Sequence, residues 1–169
     1  MRRTYRTEKK KRTTSAPMEA ALTYLERAAR TKREMERYLE DDRMFDEVSV
    51  METVRRLEEL NLINDEAYAV SFVETRLNTK PVSRMHLRQQ LIAHELPEAA
   101  IDAALAAIDD DTERKNACDI AEKFNRTLSA LADDERRERV LRRLITRGYP
   151  FELAREAVDY AMNGEHGDA

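Results

Sequence analysis

Glycine is almost missing from this chain, and that limits its folding options more than any other feature. Three glycines occur in 169 residues; two of them, Gly164 and Gly167, fall in the last six, so Gly148 stands alone in the rest. Tight hairpins draw on glycine for the positive-φ positions of their turns. Little of such a sequence can be antiparallel sheet. Tryptophan is absent too, and Ala, Leu, Glu and Arg dominate, residues that lose little on entering a helix. With 41% hydrophobic and 38% charged residues, the chain is too apolar to stay disordered. The expected fold class is all-α.

Helix starts are legible from their caps. In "TKRE", Thr31 stands three residues before Glu34, and in "SVME", Ser49 stands three before Glu52. Both match the capping box, in which hydroxyl and carboxylate each satisfy an otherwise orphaned backbone N–H. Asn64 is a third cap, with Asp65 and Glu66 in a first turn whose dipole favours negative charge. Ser83 opens a helix after Pro81, and Pro97 and Pro150 suit a first helical position. "DDDT" at 109–112 ends one helix and caps the next. These signals predict short helices near 17–30, 32–42, 49–60, 65–77, 83–94, 97–108, 112–126, 133–147 and 150–162. "NDEA" at 64–67 needs no metal, since a calcium loop wants alternating oxygen ligands around a central glycine and "YAVSFV" follows instead.

So many short helices with short loops suggest a repeat. "LEELNLINDEAYAVSFV" (57–73), "LIAHELPEAAIDAALAA" (91–107) and "LITRGYPFELAREAVDY" (144–160) align loosely. Leu57, Leu91 and Leu144 share a column, as do Leu62, Leu96 and Tyr149. Ala67, Ile101 and Ala154 then begin an inward face that continues through Val70, Ala104 and Ala157. Helix pairs of this kind bury their apolar stripes only by stacking on neighbours.

Chemistry is hard to find. His86 and His94 are eight apart, too far for the two-histidine zinc helix, and His166 lies in the terminal tail. Cys118 sits among Ile120, Ala121 and Phe124 and reads as a structural thiol. A single cysteine cannot form an internal disulfide, which suits a reducing compartment and, with no secretory leader or long apolar run, a cytoplasmic location. No catalytic, cofactor or metal residue is expected. The aromatic side chains, Tyr68 and Phe72 among them, read as core.

Binding is the better reading. Arg2, Arg3, Arg6, Lys9, Lys10, Lys11 and Arg12 face only Glu8 in the first twelve residues, leaving 23 basic against 33 acidic residues in the remainder. A basic arm on an acidic body adds sequence-independent attraction to phosphates, on single- or double-stranded DNA. Farther along, Arg76, Lys80, Arg84 and Arg88 run through one junction, with Arg142 and Arg143 in an equivalent helix. They are candidate contacts for an acidic protein surface or a phosphate backbone. Ordinary solvated helix faces would look much the same.

Four stretches, in order, resemble the RecX family of recombination regulators. "YLERAARTKREMERYL" (24–39) is similar to the family's opening helix pair through Leu25, Arg30, Thr31, Glu34, Met35 and Leu39. "VRRLEELNLINDEAYAVSFVETRL" (54–77), "HLRQQL" (86–91) and "VLRRLITRGYPFELAREAVDY" (140–160) resemble the later segments. The chain departs from the family pattern where Met35 replaces a leucine, and where glycines are missing near Val82 and Ser83 and at Glu95. The resemblance implies an elongated crescent of three tandem three-helix modules, bounded near 17–60, 61–110 and 111–163, between a basic arm (1–16) and a tail (164–169). It also implies binding to the RecA recombinase filament, restraining its ATPase and strand exchange, with no cofactor; a monomer is expected, and the lack of a long apolar run predicts no membrane association. A helical protein that binds DNA directly through its arm, or an adaptor for another protein, remains an alternative.

Overall fold

The computed structural model describes residues 16–163. The basic arm from Arg2 to Arg12, and the tail from 164 onward, lie outside the described residues. Among those described there are nine α-helices and no strand. Contacts divide the chain into two compact units between Asn64 and Asp65.

The first unit contains α1 (Pro17–Leu25), α2 (Lys32–Arg37) and α3 (Glu47–Glu59). α1 starts at a proline, which has no N–H to leave unpaired. It stops at Leu25, short of the expected residue 30. α2 opens on the complete capping box: the Glu34 N–H donates to Thr31 Oγ1 at 3.2 Å and the Thr31 N–H to Glu34 Oε2 at 3.3 Å. Ser49 does not cap α3. Asp46 does, accepting the Ser49 N–H at 3.0 Å, because the helix begins three residues earlier than "SVME" suggested. Met35, Leu39, Val50, Val54, Leu57 and Ile63 form the buried centre, while Tyr24 and Tyr38 stack at 4.0 Å beneath the Arg30 guanidinium.

The second unit contains α4 (Asp65–Thr79), α5 (Arg84–Ala93), α6 (Glu98–Leu105), α7 (Asp110–Thr127), α8 (Asp133–Thr146) and α9 (Phe151–Asn163). Ser83 caps α5, accepting the His86 N–H, and Asp109 caps α7, accepting the Thr112 N–H at 2.7 Å. Pro97 occupies the cap position of α6 rather than its first turn, and α9 starts one residue past Pro150. Two buried clusters result, one from α4–α6 around Leu87, Leu91 and Ile101, the other from α7–α9 around Ala121, Leu144 and Val158.

The repeat is real but begins elsewhere than the alignment placed it. Counted from the first residue of α3, α6 and α9, the same four positions are buried: Val50, Thr53, Val54 and Leu57; Ile101, Ala104, Leu105 and, just past the end of α6, Ile108; Ala154, Ala157, Val158 and Ala161. Each follows a helix whose last turn buries a leucine: Leu39, Leu91 or Leu144, all 0% exposed. Truncating one of these to alanine removes about 2–5 kcal/mol of transfer and cavity energy. The first copy therefore runs from 39 to 57. The stretch 57–73 links one triplet to the next, and Leu62 and Val70 are exposed there while Ile63, Ala69 and Val73 are buried. A π-type turn over Tyr38–Asp42 adds a residue to the first copy and disguised it.

One helix ending recurs. Asn61, Glu95 and Gly148 have φ of 54°, 56° and 81°. The N–H groups of Leu62, Leu96 and Tyr149 reach back to the carbonyls of Leu57, Leu91 and Leu144, and those of Asn61, Glu95 and Gly148 to Glu58, Ile92 and Ile145. This is the Schellman pattern, which satisfies carbonyls that a helix end would otherwise strand. Glu95, where the family pattern led one to look for glycine, adopts the left-handed conformation without being one.

Candidate functional site

The α8–α9 turn lies directly against the start of α5. The Ser83 N–H donates to the Arg147 carbonyl at 3.1 Å, and a Cβ added to Gly148 would stand 2.7 Å from Ser83 Oγ and 2.9 Å from His86 Cβ. Arg84 strengthens the same junction from the other side. Its guanidinium reaches Asp110 at 2.7 Å, Glu113 at 3.5 Å and the Ile108 carbonyl at 2.9 Å. Glu113 is largely buried and also accepts the Arg84 backbone N–H at 2.8 Å. A buried carboxylate held by both groups of one residue fixes α5 against α7.

Between the end of α4 and the α7–α8 pair, this junction leaves a cleft of about 350 Å³. Pro81, Ile120 and Phe124 supply apolar walls, and Lys80, Lys123 and Arg147 supply charge. Arg143 joins them: its guanidinium lies 4.4 Å from the Phe124 ring centre and that of Arg147 lies 4.8 Å from it. Each such contact contributes about 0.5–1 kcal/mol and holds the arginine plane in place while leaving its charge unneutralised. Asp119 is the cleft's carboxylate. Among the described residues, none of Lys80, Lys123, Arg143 and Arg147 forms an ion pair within 4.0 Å.

The cations singled out from sequence separate into two groups. Arg76 donates from Nε to Gln90 at 3.0 Å, Arg84 is taken up as described, Arg88 pairs with Asp102, and Arg142 pairs with Glu138. Lys80 and Arg143 keep their charge free and lie at the cleft. Lys123 and Arg147 were missed. A signal existed for Arg147, which has Arg143, Leu144, Pro150 and Phe151 at i±3 and i±4 and hence no local acid. Lys123 gave none, since Asp119 stands one turn before it. Tyr68 and Phe72 lie half-buried on the α4–α6 cluster, where Tyr68 Oη lies 3.3 Å from His94 Nδ1.

Cys118 is half-buried against the α7–α9 core, and burial, with Asp119 and Glu122 adding to it, raises its thiol above the ordinary value of 9.0. That keeps it protonated and a poor nucleophile. No group of His, Cys, Asp or Glu among the described residues is arranged to hold a metal ion. No helix there is long and apolar enough to cross a membrane.

The fold defines a class: an all-helical repeat protein built from helix triplets. The family model described as "RecX, second three-helix domain" matches residues 64–105, and "RecX, third three-helix domain" matches 111–158. The regulatory protein RecX of Chlorobaculum tepidum is 33% identical over 151 residues, covering 89% of this chain and 91% of that one. That of Lactococcus lactis is 28% identical over 82% of this chain, which spans about half (52%) of its length. The crystal structure of RecX from Lactobacillus salivarius superposes with a TM-score of 0.75 at 24% identity, over 87% of this chain and 95% of that one, a likeness of fold. The chain belongs to the RecX family, whose named relatives are regulatory proteins.

Proposed function

We propose that this chain regulates the RecA recombinase by binding its filament on single-stranded DNA, and that binding restrains ATP hydrolysis, strand exchange and filament growth. The observation that carries this reading is the 33% identity to a regulatory protein RecX across nine-tenths of both chains. The physical chemistry of the surface supports a binder. The helices spend their apolar faces on three small cores, and their outer faces are lined with arginines in exposed pairs worth about 0.2–1 kcal/mol each. Such a surface changes little in energy when its pairs are exchanged for a partner's.

In this reading the helix triplets over 17–60, 61–110 and 111–163 act as modules of one cytoplasmic monomer, and the partner contacts come from the basic positions around the second and third. Arg76, Arg84, Arg88 and Arg142 already have neighbours within the chain, which leaves Lys80 and Arg143 as the first residues to test. A second reading, direct DNA binding through Arg2 to Arg12, is favoured by the charge of that arm alone.

Titration of the protein into RecA filaments on single-stranded DNA, following ATP hydrolysis, tests the proposal. Inhibition below one copy per RecA, retained at least partly after deletion of residues 1–12, is expected. An unchanged ATPase refutes it. Binding to bare single strands that weakens with salt at a log–log slope of about −0.7 per phosphate contact would favour the arm instead.

A further inference from the structure

We infer that the cleft between α4, α7 and α8 is the docking site for a short acidic segment of a protein partner, one that sets carboxylates beside an apolar side chain. The inference rests on the reading that this chain works by binding protein, and it names the surface and the chemistry.

Charge is the first ground. Residues 16–163 hold 23 basic and 31 acidic side chains, so a typical patch of this body is neutral or negative. At the cleft the balance reverses, with Lys80, Lys123 and Arg147 around one carboxylate, Asp119, and Arg143 at the edge. Elsewhere nearby, arginines are neutralised from within: Arg88 by Asp102, Arg142 by Glu138, Arg137 by Asp159. Four cations without an ion pair, against the single carboxylate of Asp119, attract an anion, and in a concave, partly apolar setting the attraction is screened less than on an open face.

Shape and chemistry then decide which anion. A nucleic-acid strand gains much of its affinity from bases stacked on aromatic faces. Phe124 is the cleft's aromatic ring, and Arg143 and Arg147 already lie against it. A strand is also a long polyanion that would have to run on across an acidic body. A peptide segment meets only the cleft. Its carboxylates can take the forked N–H groups of Arg143 and Arg147, whose planes the ring preorganises, and an adjacent apolar side chain can lie on Pro81 and Ile120. Neither Lys80 nor Lys123 has an internal task, so both are available to close over the bound segment.

The test uses the full chain and three probes: a short fluorescein-labelled peptide of glutamate and leucine, a labelled oligothymidylate, and RecA filament on single-stranded DNA. Two charge-matched variants are compared, Lys80→Glu with Lys123→Glu in the cleft, and Lys115→Glu with Arg126→Glu on α7 outside it. All four side chains are exposed, so circular dichroism should match the unmodified chain. Peptide binding that weakens roughly tenfold or more in the cleft variant and holds in the other supports the inference, and filament binding should fall in parallel. Equal loss in both variants, or no peptide binding by the unmodified chain, overturns it. Oligothymidylate bound in place of peptide, and lost only in the cleft variant, overturns it in favour of a phosphate-backbone site. Filament binding that survives the cleft variant leaves RecA as partner and removes the cleft. Peptide binding with the expected pattern, but no filament binding, keeps the cleft and removes RecA.

Discussion

Replacing Gly148 tests how the two triplets of the larger unit are joined. The residue has φ of 81° and sits where a Cβ would meet Ser83 Oγ at 2.7 Å and His86 Cβ at 2.9 Å. Real Cβ atoms do not approach so closely, so Gly148→Ala must push the α8–α9 turn away from α5. Left-handed backbone in alanine costs about 1 kcal/mol. Displacing the fully buried Ser83 weakens the cap of α5, worth about 1 kcal/mol, and the Ser83 N–H bond to the Arg147 carbonyl, worth about 1 kcal/mol more. The expected loss is about 3 kcal/mol, or a urea midpoint lower by roughly 1.5 M, followed by far-ultraviolet circular dichroism. Gly148→Asn separates the two causes. Asparagine already holds φ of 54° at Asn61, so it removes most of the backbone strain and none of the collision. It should still lose about 2 kcal/mol. If Gly148→Asn is as stable as the parent, the close approach is not what requires glycine, and the reasoning fails.

At the equivalent turn the backbone alone asks for glycine. Glu95 has φ of 56°, so Glu95→Gly should be more stable than Glu95→Ala by about 0.5–1 kcal/mol; equal urea midpoints for the two variants would contradict this. Asp46 and Asp109 both have carboxyls held below the ordinary 3.8, the first mainly by the Ser49 N–H and hydroxyl, the second mainly by the Thr112 hydroxyl and N–H. Lowered folded values mean the caps contribute fully above 3.8 and are lost as pH falls through the lowered pKa. Stability in urea should therefore drop below about pH 4, and less in Asp46→Asn with Asp109→Asn; equal acid sensitivity would refute the assignment. Cys118, raised chiefly by burial, should react with Ellman's reagent at pH 8 well below the rate of a free thiol, and quickly only in urea.

Much of the fold was legible because helix caps and apolar spacing act locally. Thr31 and Ser83 marked helix starts correctly from a few neighbouring residues, "DDDT" placed the start of α7 two residues late, and scarce glycine excluded hairpins. The errors came from offsets of one to three residues. Asp46 outcompeted Ser49 as the cap of α3, and the extra residue in the π-type turn over Tyr38–Asp42 hid the first copy of the repeat, so that 57–73 was matched in place of 39–57. Buried positions shift face with each such offset, which is why Leu62 and Val70 lie outside and Ile63 and Ala69 inside.

The candidate cleft shows the division most clearly. By itself the sequence determined helices, caps, the all-α class and a set of cations with no acid one turn away: Arg76, Lys80, Arg84, Arg88, Arg143 and Arg147. It could not say which of these stay free, because their competitors are distant along the chain. Asp110 and Glu113 reach Arg84 from 26 and 29 residues away, and Gln90 and Asp102 reach Arg76 and Arg88 from 14. Only tertiary packing, within α4–α6 for Arg76 and Arg88 and of that triplet against α7 for Arg84, brings those groups within bonding distance and leaves Lys80, Arg143 and Arg147 without an ion pair around Phe124. A charge's local pattern is written in neighbouring residues, but its neutralisation falls off within a few ångströms of space, and proximity in space is set by the fold.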